Sequence, residues 1–213
     1  MKLYIYEHCP FCVKSRAIFG LKKRSFEALF MLNDDVATPK RLVGKKVAPI
    51  FERDGRHMAE SMDIVAEVDA LDGPVLTGVT NPLLADWINH STSTVYALAI
   101  PQWAEADFPE FATTDARAYF KTNKEKAIGP FKDRLAESGR LIAAMNASLE
   151  DLAPMVKAAD AVNGDLSTDD IHLFAHLRSL SIVRGLAYPK AVEEYRMRMS
   201  VNMGIDLHDR IAS

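Results

Sequence analysis

The first third of the chain alternates segments typical of strands with segments typical of helices, and this alternation restricts the possible fold more strongly than any other feature. KLYIY at 2–6 is rich in aromatic and β-branched residues and is typical of a buried strand, and FEALFML at 26–32 predicts a second strand. Between them, VKSRAIFGLKKR at 13–24 carries apolar residues at helical spacing. Two strands joined through a helix are expected to pair in parallel through a right-handed crossover.

The next residues predict a second helix, a hairpin and a third helix. In NDDVATPKRLVG, acidic residues come first and basic residues later, which suits the dipole of a short helix. The runs APIFER and RHMA flank Asp54-Gly55, a pair typical of tight hairpin turns. The segment SMDIVAEVDAL then forms an amphipathic helix. The order β-α-β-α-β-β-α predicts an α/β domain with a thioredoxin-like fold.

The sequence changes character after this unit. LDGPVLTGVTNP at 71–82 contains two glycines and two prolines and has no periodicity, which is typical of a linker. Almost everything beyond it is helical in character, including the long segment 131–156. We therefore expect a thioredoxin-fold domain at residues 1–72, a linker at 73–83 and an all-α bundle at 84–213.

One helix start in the second half is especially well marked. In LSTDDI, Ser167 can cap the helix, and Asp170 stands three residues later in the role that Glu or Gln usually takes in a capping box. A cap of this kind acts on folding rather than on chemistry.

Composition restricts where the protein works and what it binds. The formal net charge is only -3, so no overall basic field exists to attract nucleic acid or an anionic membrane. The start of the chain becomes polar too soon for a signal peptide, and no later run approaches the length of a membrane span. We expect a cytoplasmic protein, in which thiols stay mostly reduced.

The only two cysteines, Cys9 and Cys12, could form a disulfide, a metal half-site or a redox centre. A reducing compartment and the very small loop that the bridge would close argue against a structural disulfide. Zinc would need two more ligands. His172 and His176 have a chelating spacing on a predicted helix, but the Glu of a metalloprotease motif is absent, so we expect ordinary helix histidines and no metal.

A C-x-x-C pair that opens a helix after a strand has a physical reason to be reactive. The N–H groups and positive dipole end of the helix stabilise a thiolate on Cys9, and the thiolate is the attacking species. Pro10 suits the first helical turn because it has no N–H there to leave unpaired. Cys12 lies one turn along, where it can resolve a disulfide formed by Cys9. Pro10 and Phe11, between the thiols, are expected to tune the redox potential.

Two further features point to a thiol ligand. A cis Ala48-Pro49 bond would expose the backbone of Ala48 to an extended peptide, although a trans proline at a strand edge is the more common arrangement. Ser61, at the start of a predicted helix, can offer N–H groups and a hydroxyl to a carboxylate, and Glu60 can receive an ammonium group. The plain alternative is a helix cap with an acidic neighbour. Taken with Cys9, the pair suggests a glutathione site.

The chain as a whole resembles a known family. The features that carry the resemblance are, in order, KLYIYEHCPFC, IFGLKK, LNDD, PIF, ESMDIV, LDG, AVNG and LSTDDI. Their order and spacing are similar to those of the two-domain bacterial glutaredoxins known as glutaredoxin 2, over essentially the whole length.

This resemblance implies a thioredoxin-fold glutaredoxin domain followed by a helical domain, an architecture shared with glutathione transferases. It implies an oxidoreductase that uses glutathione as co-substrate, with no bound cofactor, to reduce protein disulfides and protein–glutathione mixed disulfides. The implied partners are glutathione and oxidised proteins, and the implied state is a monomer. Carried over to this sequence, the resemblance assigns roles to six residues: nucleophile Cys9, resolving thiol Cys12, backbone clamp Ala48 and Pro49, and γ-glutamyl site Glu60 and Ser61.

The chain departs from the family pattern at two positions. Phe11 replaces the usual tyrosine between the thiols, and Ala48 stands where valine is more usual. The candidates for binding the glycine carboxylate of glutathione are three basic residues: Arg41, Lys45 and Lys46.

Two other functions fit the same architecture. A glutathione transferase would conjugate electrophiles, but it has no need of Cys12. A noncatalytic interaction protein would not need an intact C-P-F-C motif.

Overall fold

The computed structural model describes residues 1–213 and begins with a small mixed sheet. Its strands are β1 (Lys2–Ile5), β2 (Glu27–Phe30), β3 (Ile50–Arg53) and β4 (Arg56–Met58). Three helices accompany them: α1 (Pro10–Leu21), α2 (Ala37–Val43) and α3 (Ser61–Asp69).

The sheet has the strand order β2-β1-β3-β4, with β1 and β2 parallel and the remaining pairs antiparallel. The predicted parallel pair joined through α1 and the predicted hairpin are therefore both confirmed. The hairpin turn places Asp54 at φ 51° and Gly55 at φ 75°, the left-handed region that a tight turn requires.

The second half of the chain is helical, as expected. After a stretch without helix or strand come six helices: α4 (Pro82–Glu105), α5 (Thr114–Ile128), α6 (Phe131–Ala136), α7 (Ser138–Leu152), α8 (Thr168–Leu180) and α9 (Lys190–Met203). Short 3-10 turns occupy Pro109–Phe111, Ala153–Met155 and Asp209–Ile211. None of the helices combines the length and the apolar composition that crossing a membrane requires.

The segment 131–156 is less continuous than its composition suggests. Glu137 ends α6 with φ -90° and ψ -1°, and α7 begins at the next residue. Pro154, which lacks an N–H, lies in the 3-10 turn that follows α7. The capping box predicted at α8 is confirmed, because the Ser167 N–H donates to Asp170 Oδ2 at 2.9 Å.

A single hydrophobic core joins the two halves. Helix α1 packs against α3 on the sheet side and against α8 and α9 on the other. Gly20 permits the closest of these approaches, because a Cβ at this position would overlap with the backbone carbonyl of Met203 in α9. The thiol-bearing helix is therefore fixed by both halves of the molecule.

We predict that Gly20→Ala lowers the free energy of unfolding by about 1–3 kcal/mol, the usual cost of forcing extra volume into a packed interior. Thermal or urea unfolding measures the loss. The matched control is Gly139→Ala in α7, where an added Cβ meets nothing within 4 Å. This control should leave stability unchanged or raise it by up to about 1 kcal/mol. Equal effects of the two substitutions would contradict the close helix contact.

Candidate functional site

The two cysteines lie at the N-terminus of α1, directly after the loop that leaves β1. Cys9 is the N-cap residue, with extended backbone (φ -71°, ψ 118°), and Pro10 is the first helical residue. Both cysteines are free thiols and are buried, with 9% of Cys9 and none of Cys12 exposed. The strand-to-helix junction thus places one thiol at the helix end and the other inside the first turns.

The surroundings of Cys9 favour a thiolate. A hydrogen bond from the Cys12 thiol is the main reason that the pKa of Cys9 lies below its ordinary value. Burial opposes this effect, while the N–H groups of Cys12 and Phe11 donate to the sulfur, and the charge of Lys124 also favours the anion. Cys9 is accordingly the more nucleophilic of the two sulfurs.

The surroundings of Cys12 favour the neutral thiol. Burial raises the pKa of Cys12 well above its ordinary value, and the neighbouring Cys9 sulfur raises it further. The Tyr6 N–H donates to the Cys12 sulfur at 3.4 Å, which only partly offsets these effects. The two thiols therefore form a donor and an acceptor rather than two equivalent groups.

An open cavity of about 700 Å³ lies next to the thiol-bearing loop. Its lining residues are Tyr6, Phe11, Lys46, Val47, Ala48, Pro49, Glu60, Ser61, Met62 and Asp63. The structure thus brings five of the predicted residues into one cavity: Phe11, Ala48, Pro49, Glu60 and Ser61. Neither cysteine is a lining residue, but Tyr6 and Phe11 connect the cavity to the thiol pair. The Ala48-Pro49 peptide bond is cis.

The ring of Phe11 is half exposed at the mouth of this cavity. Its exposed fraction is 48%, and Lys14 Nζ lies 5.2 Å from the centroid of the ring. A large apolar ring with this exposure can contact a bound ligand or an approaching protein.

Helix α3 begins inside the cavity. Ser61 is its first residue and lines the cavity together with Met62 and Asp63, so the unpaired N–H groups of the first turn lie at the cavity. Glu60 precedes it with φ 71° and accepts a hydrogen bond from Lys45 Nζ at 2.8 Å. Both side chains of this pair are well exposed, so the pair is weak and a ligand ammonium group can compete for the carboxylate.

The structure separates the three basic candidates. Lys46 lines the cavity, and its Nζ donates to the Asn33 carbonyl at 2.6 Å and lies 3.8 Å from the ring centroid of Tyr119. Lys45 is engaged by Glu60, and Arg41 does not line the cavity. Of the three candidates, Lys46 is therefore the one that lines the cavity, with its Nζ already hydrogen-bonded to the Asn33 carbonyl.

The second histidine of the pair on α8, His176, makes a buried structural contact. His176 is buried and its Nε2 lies 2.8 Å from the Ser91 hydroxyl. Ser91 donates to the Trp87 carbonyl at 2.8 Å, so the ring N–H of His176 is the donor to Ser91. No group of three or more His, Cys, Asp or Glu side chains lies close enough together to hold a metal ion.

Sequence reasoning missed several contributors to this site. Tyr6 belongs to the thiol motif but was not recognised as a cavity residue or as a donor to Cys12. Lys124 and Tyr119 come from α5, far along the chain. Their sequence surroundings are those of an ordinary amphipathic helix, so no local signal marks them.

The chain is similar to known proteins over its full length. Residues 83–212 match the family described as glutaredoxin 2, C-terminal domain, and residues 3–75 match the glutathione S-transferase N-terminal domain. Glutaredoxin 2 of Escherichia coli K12 is 45% identical, with 100% of both proteins covered.

Solved structures agree with these matches. The structure of glutaredoxin 2 from Salmonella typhimurium in complex with glutathione is 45% identical and has a TM-score of 0.98, covering 100% of this chain and 98% of that one. A glutathione S-transferase of Ceriporiopsis subvermispora is 13% identical with a TM-score of 0.68, over 100% of this chain and 97% of that one, which is a likeness of fold alone. On the identity and coverage of its bacterial relatives, the chain belongs to the glutaredoxin 2 family.

Proposed function

We propose that this chain is a glutathione-disulfide oxidoreductase in which Cys9 is the nucleophile and the adjacent cavity binds glutathione. The observation that carries the proposal is the division between the thiols: the pKa of Cys9 is lowered by its hydrogen bonds, whereas burial raises that of Cys12. A pair of equivalent thiols would not provide a nucleophile and a proton donor at the same pH.

In the first step, the Cys9 thiolate attacks the glutathione sulfur of a protein–glutathione mixed disulfide. A Cys9–glutathione disulfide forms, and the protein thiolate leaves with the electron pair of the broken S–S bond and takes up a proton. In the second step, a free glutathione thiolate attacks the glutathione sulfur of this intermediate. Glutathione disulfide is released and the Cys9 thiolate is restored, so two electrons pass from glutathione to the protein.

Protein disulfides follow a second route through Cys12. When Cys9 is joined to a substrate sulfur, it no longer carries a negative charge and no longer accepts the hydrogen bond of the Cys12 thiol. Both of these influences raise the pKa of Cys12 in the reduced pair, so its thiol deprotonates more readily in the intermediate. The Cys12 thiolate then displaces the substrate thiolate and leaves a Cys9–Cys12 disulfide, which glutathione reduces.

Glutathione has a matching set of groups in the cavity. The backbone of Ala48, beside Pro49, is positioned to pair with the extended tripeptide. The N-terminus of α3 at Ser61 receives the γ-glutamyl carboxylate, and Glu60 receives the ammonium group. Lys46 receives the glycine carboxylate. Glutathione bound to the Salmonella typhimurium relative supports this use of the cavity.

Other parts of the proposal rest on the family and on composition. We propose a cytoplasmic monomer that transfers electrons from glutathione to glutathionylated or disulfide-containing proteins, with no bound cofactor and no role at nucleic acid or membranes. The absence of helix and strand between Asp69 and Pro82 supports the division into residues 1–72, a linker at 73–83 and a helical domain at 84–213.

A transferase activity is the rival to be tested, because residues 3–75 match the glutathione S-transferase N-terminal domain. Reduction of a glutathione mixed disulfide is compared with conjugation of glutathione to an aryl halide. Strong conjugation without thiol exchange would favour the transferase.

We predict that Cys9→Ser abolishes reduction of a glutathionylated protein, whereas Cys12→Ser retains it. Free glutathione resolves the Cys9 intermediate, so the second thiol is dispensable for this substrate. The coupled assay with glutathione reductase measures both variants, and a protein dithiol substrate should depend on both cysteines. Equal loss of mixed-disulfide activity in the two variants would contradict the assigned roles.

We predict that Lys46→Met raises KM for glutathione roughly tenfold, as expected for losing about 1.4 kcal/mol of binding from one charge-assisted hydrogen bond. The value of kcat should change little, because Lys46 does not contact either thiol. The control is Arg41→Met, an exposed residue that does not line the cavity and should leave KM within twofold of the wild-type value. An equal rise in KM for both would remove Lys46 from the site.

A further inference from the structure

The loop that carries Cys9 is held by a buried carboxylate from the helical half of the molecule. Glu110, in the 3-10 turn Pro109–Phe111, has no exposed surface. Its Oε2 accepts from the backbone N–H of Glu7 at 3.0 Å, and its Oε1 accepts from that of His8 at 3.0 Å. A buried carboxylate is costly unless it is fully hydrogen-bonded, so this geometry holds the two loop residues firmly.

The His8 side chain completes the same contact. Its Nδ1 lies 2.5 Å from Glu110 Oε1, and its ring packs against Trp103, Phe111 and Phe120 at centroid distances of 4.9–5.3 Å. Burial lowers the pKa of His8, Glu110 opposes this shift, and the Nδ1–H of the ring donates to the carboxylate. Burial opposes ionisation of Glu110, but the hydrogen bonds from His8 and the backbone outweigh it and hold the pKa of Glu110 below its ordinary value.

Arg178 of α8 holds the same loop from the other side. It is almost completely buried, and its Nη1 donates to the Glu7 carbonyl at 2.9 Å while Nη2 bonds to the Glu7 carboxylate. Its Nε donates to the Asp206 carbonyl at 2.8 Å, so the guanidinium is itself fixed. Both backbone polar groups of Glu7 are therefore satisfied by the helical half rather than by the sheet.

These contacts end at His8, the residue directly before the nucleophile. Cys9 follows His8 directly, and the position of its sulfur relative to the first N–H groups of α1 depends on the backbone that precedes it. We infer that Glu110 is a positioning residue for Cys9: by holding the Glu7-His8 backbone, it keeps the Cys9 sulfur at the N-terminus of α1. The helical domain then contributes to the nucleophilic site by holding the loop that carries Cys9.

This inference rests on the proposed role of Cys9. Its test measures the pH at which the Cys9 sulfur becomes a thiolate. The titratable groups around the sulfur, besides Glu110 and His8, are Tyr6, Cys12, Lys14, Tyr96 and Lys124. All of these residues keep their identity when Glu110 is changed, although the Glu110 charge itself contributes to raising the pKa of Tyr6 and of Cys12. Only Cys12 needs replacement, by serine, so that alkylation reports Cys9 alone while a hydroxyl donor remains.

The experiment measures the rate of iodoacetamide alkylation against pH in the Cys12→Ser protein, alone and with Glu110→Ala or Glu110→Gln. Alanine removes the two carboxylate oxygens that hold the Glu7-His8 backbone, so the Cys9 sulfur moves away from the N–H groups of α1. The pH midpoint of alkylation should therefore rise by about one unit. Glutamine keeps one acceptor and should give a smaller rise. In mixed-disulfide reduction, kcat should fall about tenfold or more for Glu110→Ala, while KM for glutathione stays within twofold.

The matched control is Asp170→Asn. Asp170 is also a buried carboxylate of the helical half with several donors, including the N–H groups of Val162 and Ser167 and the Tyr195 hydroxyl, but it does not contact the Cys9 loop. The Asp170→Asn substitution should lower the melting temperature and leave the pH midpoint of Cys9 alkylation unchanged. If Glu110→Ala fails to fold, the glutamine variant carries the same test.

The positioning role would be overturned if the pH midpoint of alkylation stayed constant or fell in the Glu110 variants. It would also be overturned if the midpoint rose equally in Asp170→Asn. The alkylation midpoint does not require any glutathione chemistry. Failure of the proposed function would instead appear as absent turnover in the protein with Glu110 intact, so the two failures are distinguishable.

Discussion

The N-terminus of α1 is the constraint on which the chemistry of this chain depends. The helix begins immediately after Cys9, so its free N–H groups lie at the Cys9 sulfur while Cys12 enters the buried first turns. The hydrogen bond from the Cys12 thiol, helped by these N–H groups, lowers the pKa of Cys9, whereas burial raises that of Cys12. The hydrogen bond between the two sulfurs allows a short C-x-x-C motif to supply both a nucleophile and a protonated partner.

The helix keeps this arrangement because it is packed on both sides. Within the first half it packs against α3 and, through Phe19, against Phe51 of the sheet, and in the second half it packs against α8 and α9, with Gly20 allowing close contact at the far end. At the near end, Glu110 and Arg178 satisfy the polar groups of the preceding loop. The second half of the chain therefore contributes to the site through packing and polar contacts. The thiols and the proposed glutathione ligands nevertheless all belong to the first half.

Sequence predicted those parts of the molecule that are determined by neighbouring residues. The strand and helix order, the Asp54-Gly55 hairpin and the Ser167–Asp170 cap depend on local propensity and turn chemistry, and each was found as expected. The break at Glu137 was missed although Ser138 and Gly139 follow it directly, because the helical pattern continues on both sides and an isolated glycine is tolerated within a helix. The glutathione residues remain predictions, although five of the expected positions line one cavity.

Contacts between distant residues could not be predicted. The choice of Lys46 over Arg41 depends on which side chain faces the cavity, and the contact of Glu110 with the thiol loop depends on how the two halves pack. A single acidic residue beside a proline carries no sign of that role.

The measurement that tests the account most directly is mass spectrometry of the reduced protein after exposure to glutathione disulfide, with peptide mapping of the adduct. The account predicts a glutathione adduct on Cys9 that accumulates in the Cys12→Ser protein, and no adduct in Cys9→Ser. An adduct on Cys12 alone, or no adduct on either cysteine, would contradict it.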